Sequence, residues 1–127
     1  MNKTILATGL VVGVIAVILG AFGAHGLKKL IGPEALATFE TGIKYQMYHA
    51  LFLMVVSVLP NVTSGSKQMV LYLVVVGLLF FSGSIYFLAT NQLTSFDFKK
   101  IGFITPIGGT LLIAAWIKLL YSVLTNK

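Results

Sequence analysis

The chain has no cysteine and no arginine among its 127 residues, and only three acidic side chains, Glu34, Glu40 and Asp97. The lack of cysteine removes disulfides, thiolate metal sites, iron–sulfur ligation and cysteine nucleophiles together. It leaves the redox compartment open. Charge is scarce as well: 9% of residues are charged, against about 25% in a typical soluble domain. So few charges cannot build a solvated surface, and 57% of the chain is hydrophobic, with a mean hydropathy of +0.98. The sequence is therefore read as one integral membrane domain spanning residues 1–127. The net charge of +6 comes wholly from lysine. The lysines punctuate apolar runs and form no stripe with aromatics. They read as membrane flanks, and nucleic acid is not an expected partner.

Those apolar runs are what the sequence offers in place of charge. Four spans are expected, at about 4–24, 45–59, 68–90 and 101–124. Each meets or approaches the roughly 20 apolar residues that cross about 30 Å of hydrocarbon as a helix. The alternating pattern of barrel strands fits nowhere. The expected fold is an all-α membrane protein, a four-transmembrane-helix bundle with a short amphipathic interfacial helix before span 2. Span 1 resembles a secretion signal at first sight. Its apolar run is longer than the usual h-region of about 7–15 residues, so it is expected to be retained. It also carries Gly9, Gly13, Ala16, Gly20 and Ala24 on one helical face. Small residues let membrane helices approach closely. The stripe reads as packing inside the bundle, with contact to a second copy through Gly9, Gly13 and Gly20 as the alternative.

Local signals mark where the spans begin and end. Gly23 and Gly26 surround His25 and give the backbone freedom to turn. Gly32-Pro33 then restarts a helix, with Glu34 in its positive first turn. Leu36, Phe39, Ile43 and Met47 recur at helical spacing against Thr38, Thr41 and Lys44, the pattern of the interfacial helix. Gly42 is its expected bend into span 2. Glu40 and Lys44 are spaced for an ion pair. Pro60-Asn61 ends span 2, and a short polar hairpin leads to span 3. In span 4, Pro106 cannot donate to the carbonyl of Gly102, so a helix break is expected at Pro106, Gly108 and Gly109. Trp116 and Lys118 read as interfacial anchors.

An up-and-down bundle brings the polar residues of separate spans to one end. The late end of span 1, early span 2, late span 3 and early span 4 all adjoin the first and third connectors. The expected polar layer contains His25, Glu40, Lys44, Gln46, His49, Ser84, Tyr86 and Thr105. The opposite leaflet is expected to be plain Leu, Val and Ile. Lys28, Lys29, Lys44, Lys99 and Lys100 favour cytoplasmic first and third connectors, with both termini outside. Lys3, Lys67, Lys118 and Lys127 fall on the terminal side.

Four blocks in order, AFGAHGL, YQMYHALFLM, LFFSGSIY and ITPIGGTLLIAAW, cover nearly the whole chain. They resemble the signature blocks of the YgdD/YwdK-like family of small bacterial inner-membrane proteins. The resemblance implies a multi-pass plasma-membrane protein without an established reaction, substrate or cofactor. The matching positions are Gly23, His25, Gly26, Gln46, His49, Gly83, Ser84, Tyr86, Thr105, Pro106, Gly108, Gly109 and Trp116, none with an assigned role.

The polar layer admits several readings. His25 and His49 with Glu40 could bind a metal or relay protons, but no ligand spacing supports it. Ser82 or Ser84 with His49 lacks a nucleophile elbow or a paired acid. Lys28, Lys44 and the histidines could hold a lipid headgroup or small anion. Alternatively, the polar side chains simply bridge helices. No catalytic, metal or cofactor site is expected. The expected function is that of a non-enzymatic, envelope-related membrane protein binding lipid or a partner. The alternative is an oligomeric transporter or channel for a small solute or ion.

Overall fold

The computed structural model describes residues 2–93, 97 and 102–125. Among them lie four long helices: α1 (Lys3–His25), α2 (Pro33–Val58), α3 (Ser64–Ala89) and α4 (Ile104–Thr125). Short 3-10 turns at Leu27–Lys29 and Asn91–Leu93 adjoin the first and third connectors, and no strand occurs among the described residues. The expected start of span 4 at Ile101, and Lys99, Lys100 and Lys127, lie outside those residues.

Each start follows from local chemistry. The Asn2 side chain accepts a hydrogen bond from the Ile5 amide at 3.0 Å and caps α1. Pro33 takes the first position of α2, where its missing N–H costs nothing, and Glu34 lies in the same turn. The Thr63 hydroxyl accepts from the Ser66 amide at 3.1 Å and caps α3. Asn61, at φ 60°, takes the left-handed turn between α2 and α3, a conformation asparagine tolerates.

Three local expectations need correction. The amphipathic segment and span 2 form one uninterrupted helix, so no separate interfacial helix precedes it. Pro106 does not break α4: the helix begins only at Ile104, and a proline in the first turn forfeits no intrahelical bond. Gly108 and Gly109 continue the same helix. Gly26 adopts an ordinary right-handed conformation at φ −84°, so the first connector needs no glycine-only backbone.

α1, α3 and α4 are each long and apolar enough to cross a membrane. The first half of α2 carries Glu34, Glu40 and Lys44 and is more polar. Large apolar side chains stand outward on every helix, including Val17 at 62%, Leu51 at 54%, Leu79 at 65% and Leu120 at 59% exposure. Such a belt would aggregate in water and is what a lipid-facing surface requires.

The main interfaces are α1 on α2, α2 on α3, and α3 on α4. The Asn2 amide donates to the Ser57 carbonyl at 2.8 Å, which joins the start of α1 to the end of α2. At the other end, Gln92 Nε2 donates to the Leu30 carbonyl at 3.0 Å and ties the third connector to the first. The main core gathers Ile5, Leu53, Val56, Val70, Val74, Leu112 and Ala115. A smaller cluster of Leu27, Ile31, Phe39 and Ala89 closes the connector end.

Two glycines set the spacing of this bundle. A Cβ at Gly108 would collide with the backbone of Phe81 and lie 2.8 Å from the Gly77 carbonyl. α3 and α4 therefore meet backbone to backbone. A Cβ at Gly42 would lie 2.6 Å from the Tyr86 ring, so Gly42 lets that ring cross α2. Within the small-residue stripe of α1, Gly9 is buried against Ala50 and Leu53 of α2, while Gly13 and Gly20 are only half-buried.

Candidate functional site

Three of the hydrogen-bonded groups between the helices hold residues of the expected polar layer. The first centres on Gln46, buried in α2. Its Nε2 donates to the Val12 carbonyl of α1 at 3.0 Å. Its Oε1 accepts from the Tyr86 hydroxyl of α3 at 2.6 Å. One amide thus joins three helices and uses both of its ends. Beside it, Ser82 donates to the Gly42 carbonyl at 2.9 Å, a second tie between α3 and α2. The Tyr86 ring packs on Phe39 with centroids 5.1 Å apart.

The second group is His49 with Trp116. The indole Nε1–H donates to His49 Nε2 at 3.0 Å. An indole nitrogen only donates, so Nε2 must be the acceptor. The proton therefore sits on Nδ1, which donates to the Tyr45 carbonyl at 2.7 Å. Both ring nitrogens are committed in this neutral tautomer. Phe52 packs against the indole, at 4.2 Å between centroids. The third group is Ser84 with Thr105, whose hydroxyls share a short hydrogen bond between α3 and α4. Ser84 also reaches the Phe81 carbonyl at 3.0 Å.

The expected layer is thus only partly brought together. Gln46 and Tyr86 meet, as do Ser84 and Thr105, while His49 turns to Trp116 instead. His25, Glu40 and Lys44 are exposed and take no part. Glu40 and Lys44 form no ion pair with each other, since long side chains gain little from holding one in water. Neither serine reaches His49, so the Ser–His pairing does not form. Among the described residues no three His, Asp or Glu side chains come together.

Two participants went unrecognised in the sequence. Trp116 has the position of an interfacial anchor in the sequence, yet it is the donor to His49. Counting rise brings them to within about one turn of each other: His49 lies roughly 24 Å along α2 and Trp116 roughly 18 Å along α4, and both helices start at the connector end. The other is Lys67. The terminal end is not plain Leu, Val and Ile, because Ser57, Lys67 and Ser122 are all buried there. Lys67 Nζ donates to the Ser57 carbonyl at 3.2 Å. Ser122 Oγ is buried without a partner.

An all-α chain with three bilayer-length apolar helices, and polar side chains locked between its helices, is a small membrane protein. The chain belongs to the family described as protein of unknown function DUF423, whose model matches residues 19–109. It is 41% identical over 118 residues to the UPF0382 membrane protein SAB0533 of Staphylococcus aureus, covering 93% of each chain. It is 40% identical over 117 residues to the UPF0382 membrane protein YwdK of Bacillus subtilis, covering 91% of each. A Haemophilus influenzae UPF0382 membrane protein is 36% identical over 115 residues, covering 91% of this chain and 89% of its own. These matches agree with the resemblance carried by the four sequence blocks. No solved structure matches the chain.

Proposed function

We propose that this is a non-enzymatic protein of the bacterial plasma membrane that crosses the bilayer four times and holds lipid tails between its helices. The observation that carries this reading is the hydrogen bonding of the polar groups around Gln46, His49 and Ser84 to one another and to the backbone. Gln46, Tyr86, Ser82, His49, Ser84 and Thr105 each hydrogen-bond to another part of the same chain. A reaction needs a group free to meet a substrate. A group already spent on its own bundle fixes how the helices sit.

The fourth crossing is α2. Its 26 residues extend for about 39 Å, longer than the hydrocarbon core. Gly9 packs level with Ala50, and Gly23 with Phe39, so α2 follows α1 over much of its length. Gln46 and His49 are buried and away from lipid. The exposed Glu34, Glu40 and Lys44 fit headgroup depth at the connector end. The lysine flanks favour a cytoplasmic connector end, with both termini outside.

Lipid is the fitting occupant of the furrows. One of about 560 Å³ runs between α3 and α4 beside Met69, Tyr72, Val76 and Leu111. Another, of about 480 Å³, lies between α2 and α4 beside Leu51, Val55 and Leu120. Both open outward along the apolar belt, where acyl chains are the solvent.

Native mass spectrometry of the protein released from mild detergent, paired with solute and ion flux in proteoliposomes, tests the proposal. Retained diacyl lipid without saturable flux is expected. Selective, saturable flux would instead establish the transporter reading, and a lipid-free dimer would place a second copy in the furrows.

A further inference from the structure

The terminal end holds a polar cavity that the interior network does not use. It has a volume of about 430 Å³ and is lined by Asn2, Lys3, Val62, Ser64 and Lys67. Lys67 is only 7% exposed. Its ammonium carries three N–H donors, of which one is spent on the Ser57 carbonyl. That carbonyl also accepts from the Asn2 amide and has no lone pair left to offer. Among the described residues no carboxylate balances the lysine. Glu34 and Glu40 lie in the first half of α2, towards the opposite end, and Asp97 follows the end of α3.

Every other donor around the cavity is also available. The Asn2 carbonyl oxygen caps α1, which leaves its NH₂ group directed elsewhere. The Lys3 and Ser64 side chains are exposed and make no hydrogen bond among the described residues. Both α1 and α3 begin at this cavity, so two positive helix ends face it. A buried cation with unused donors, a second lysine, an amide, a hydroxyl and two helix starts all favour an anion.

We propose that Asn2, Lys3, Ser64 and Lys67 form a binding site for a phosphate group. The phosphate accepts from Lys67 Nζ at the base of the cavity and from Lys3 and Ser64 at its mouth. The site lies away from the Gln46 and His49 groups and does not depend on the reading of them as helix ties. Capping α2 through the Ser57 carbonyl explains one donor of Lys67. It does not explain the open polar cavity around the other two.

The test uses the full chain purified in an uncharged detergent, with melting temperature as the readout. Inorganic phosphate is titrated against chloride at matched ionic strength, and phosphatidylglycerol against phosphatidylcholine. Saturable stabilisation is expected in at least one arm. A response to inorganic phosphate identifies a free anion as sufficient, and a response to phosphatidylglycerol alone identifies a lipid headgroup. The double variant K3A/S64A removes two mouth donors that support no packing, and should raise the midpoint about tenfold. K67M should abolish the response; if K67M does not fold, K3A/S64A decides. No saturable response in either arm, or a wild-type midpoint in K3A/S64A, overturns the site. Lipid retained in the furrows should be unchanged in K3A/S64A, so the two proposals fail separately.

Discussion

Gln46 and Lys67 are both polar, both buried and both placed between helices, but they differ in what is left over. Gln46 has a partner at each end of its amide. Lys67 has one acceptor for three donors, and faces a polar cavity. Leaving either group unsatisfied in a low-dielectric interior costs free energy. The bundle settles that cost internally for Gln46. For Lys67 it leaves part of the settlement to water or an anion. Burial alone therefore does not separate a structural group from a binding group; the count of unused donors does.

The largest expected effect lies outside both regions, where backbones touch. Gly108→Ala places a methyl against Phe80 and Phe81, and should destabilise the fold by about 1–3 kcal/mol in a detergent unfolding titration. Gly83→Ala is the control: nothing lies within 4 Å of that position, so stability should hold or rise.

Next comes the interior network. Gln46→Leu leaves the Tyr86 hydroxyl without its acceptor and should cost about 1–3 kcal/mol. Adding Tyr86→Phe should recover part of that loss. The coupling in the double-mutant cycle is expected at about 0.6 kcal/mol, the average for hydrogen bonds inside membranes, and no higher than about 1.7 kcal/mol. Zero coupling would remove the bond from the account of how α2 and α3 are held.

Trp116→Phe is milder. It keeps a ring against Phe52 and loses only the donor to His49, so about 0.6 kcal/mol is expected from the same titration. Smallest of all is Lys3→Ala, which should change stability by no more than about 0.5 kcal/mol without added anion. It should nevertheless weaken the phosphate response, which sets the terminal cavity apart from the interior.

Much of the architecture can be read from the apolar runs, because a chain with so few charges has few ways to stop a helix. The antiparallel arrangement that brings Gln46 near Tyr86, and Ser84 near Thr105, follows from short connectors. Other features depend on facts that a residue pattern does not carry. Whether Pro106 breaks a helix depends on where α4 starts, and no strong capping signal marks Ile104. Trp116 looks like an anchor until its depth is compared with that of His49 on another helix. Lys67 sits beside a polar turn like any flanking lysine. Only the direction of its first helical turn sends it inward to the Ser57 carbonyl. His25, Glu40 and Lys44 erred in the other direction: their chemistry made them candidates, but their helix faces point outward.

The absence of cysteine allows the two regions to be compared in one measurement. Ser82→Cys in the interior and Ser64→Cys at the cavity mouth are each exposed to a membrane-impermeant maleimide, in vesicles of both orientations. The account predicts that Ser64→Cys labels from one side, and that Ser82→Cys labels from neither until the protein is denatured. Native labelling of Ser82→Cys would contradict it, because water would then reach the polar interior and the helix ties would line a path.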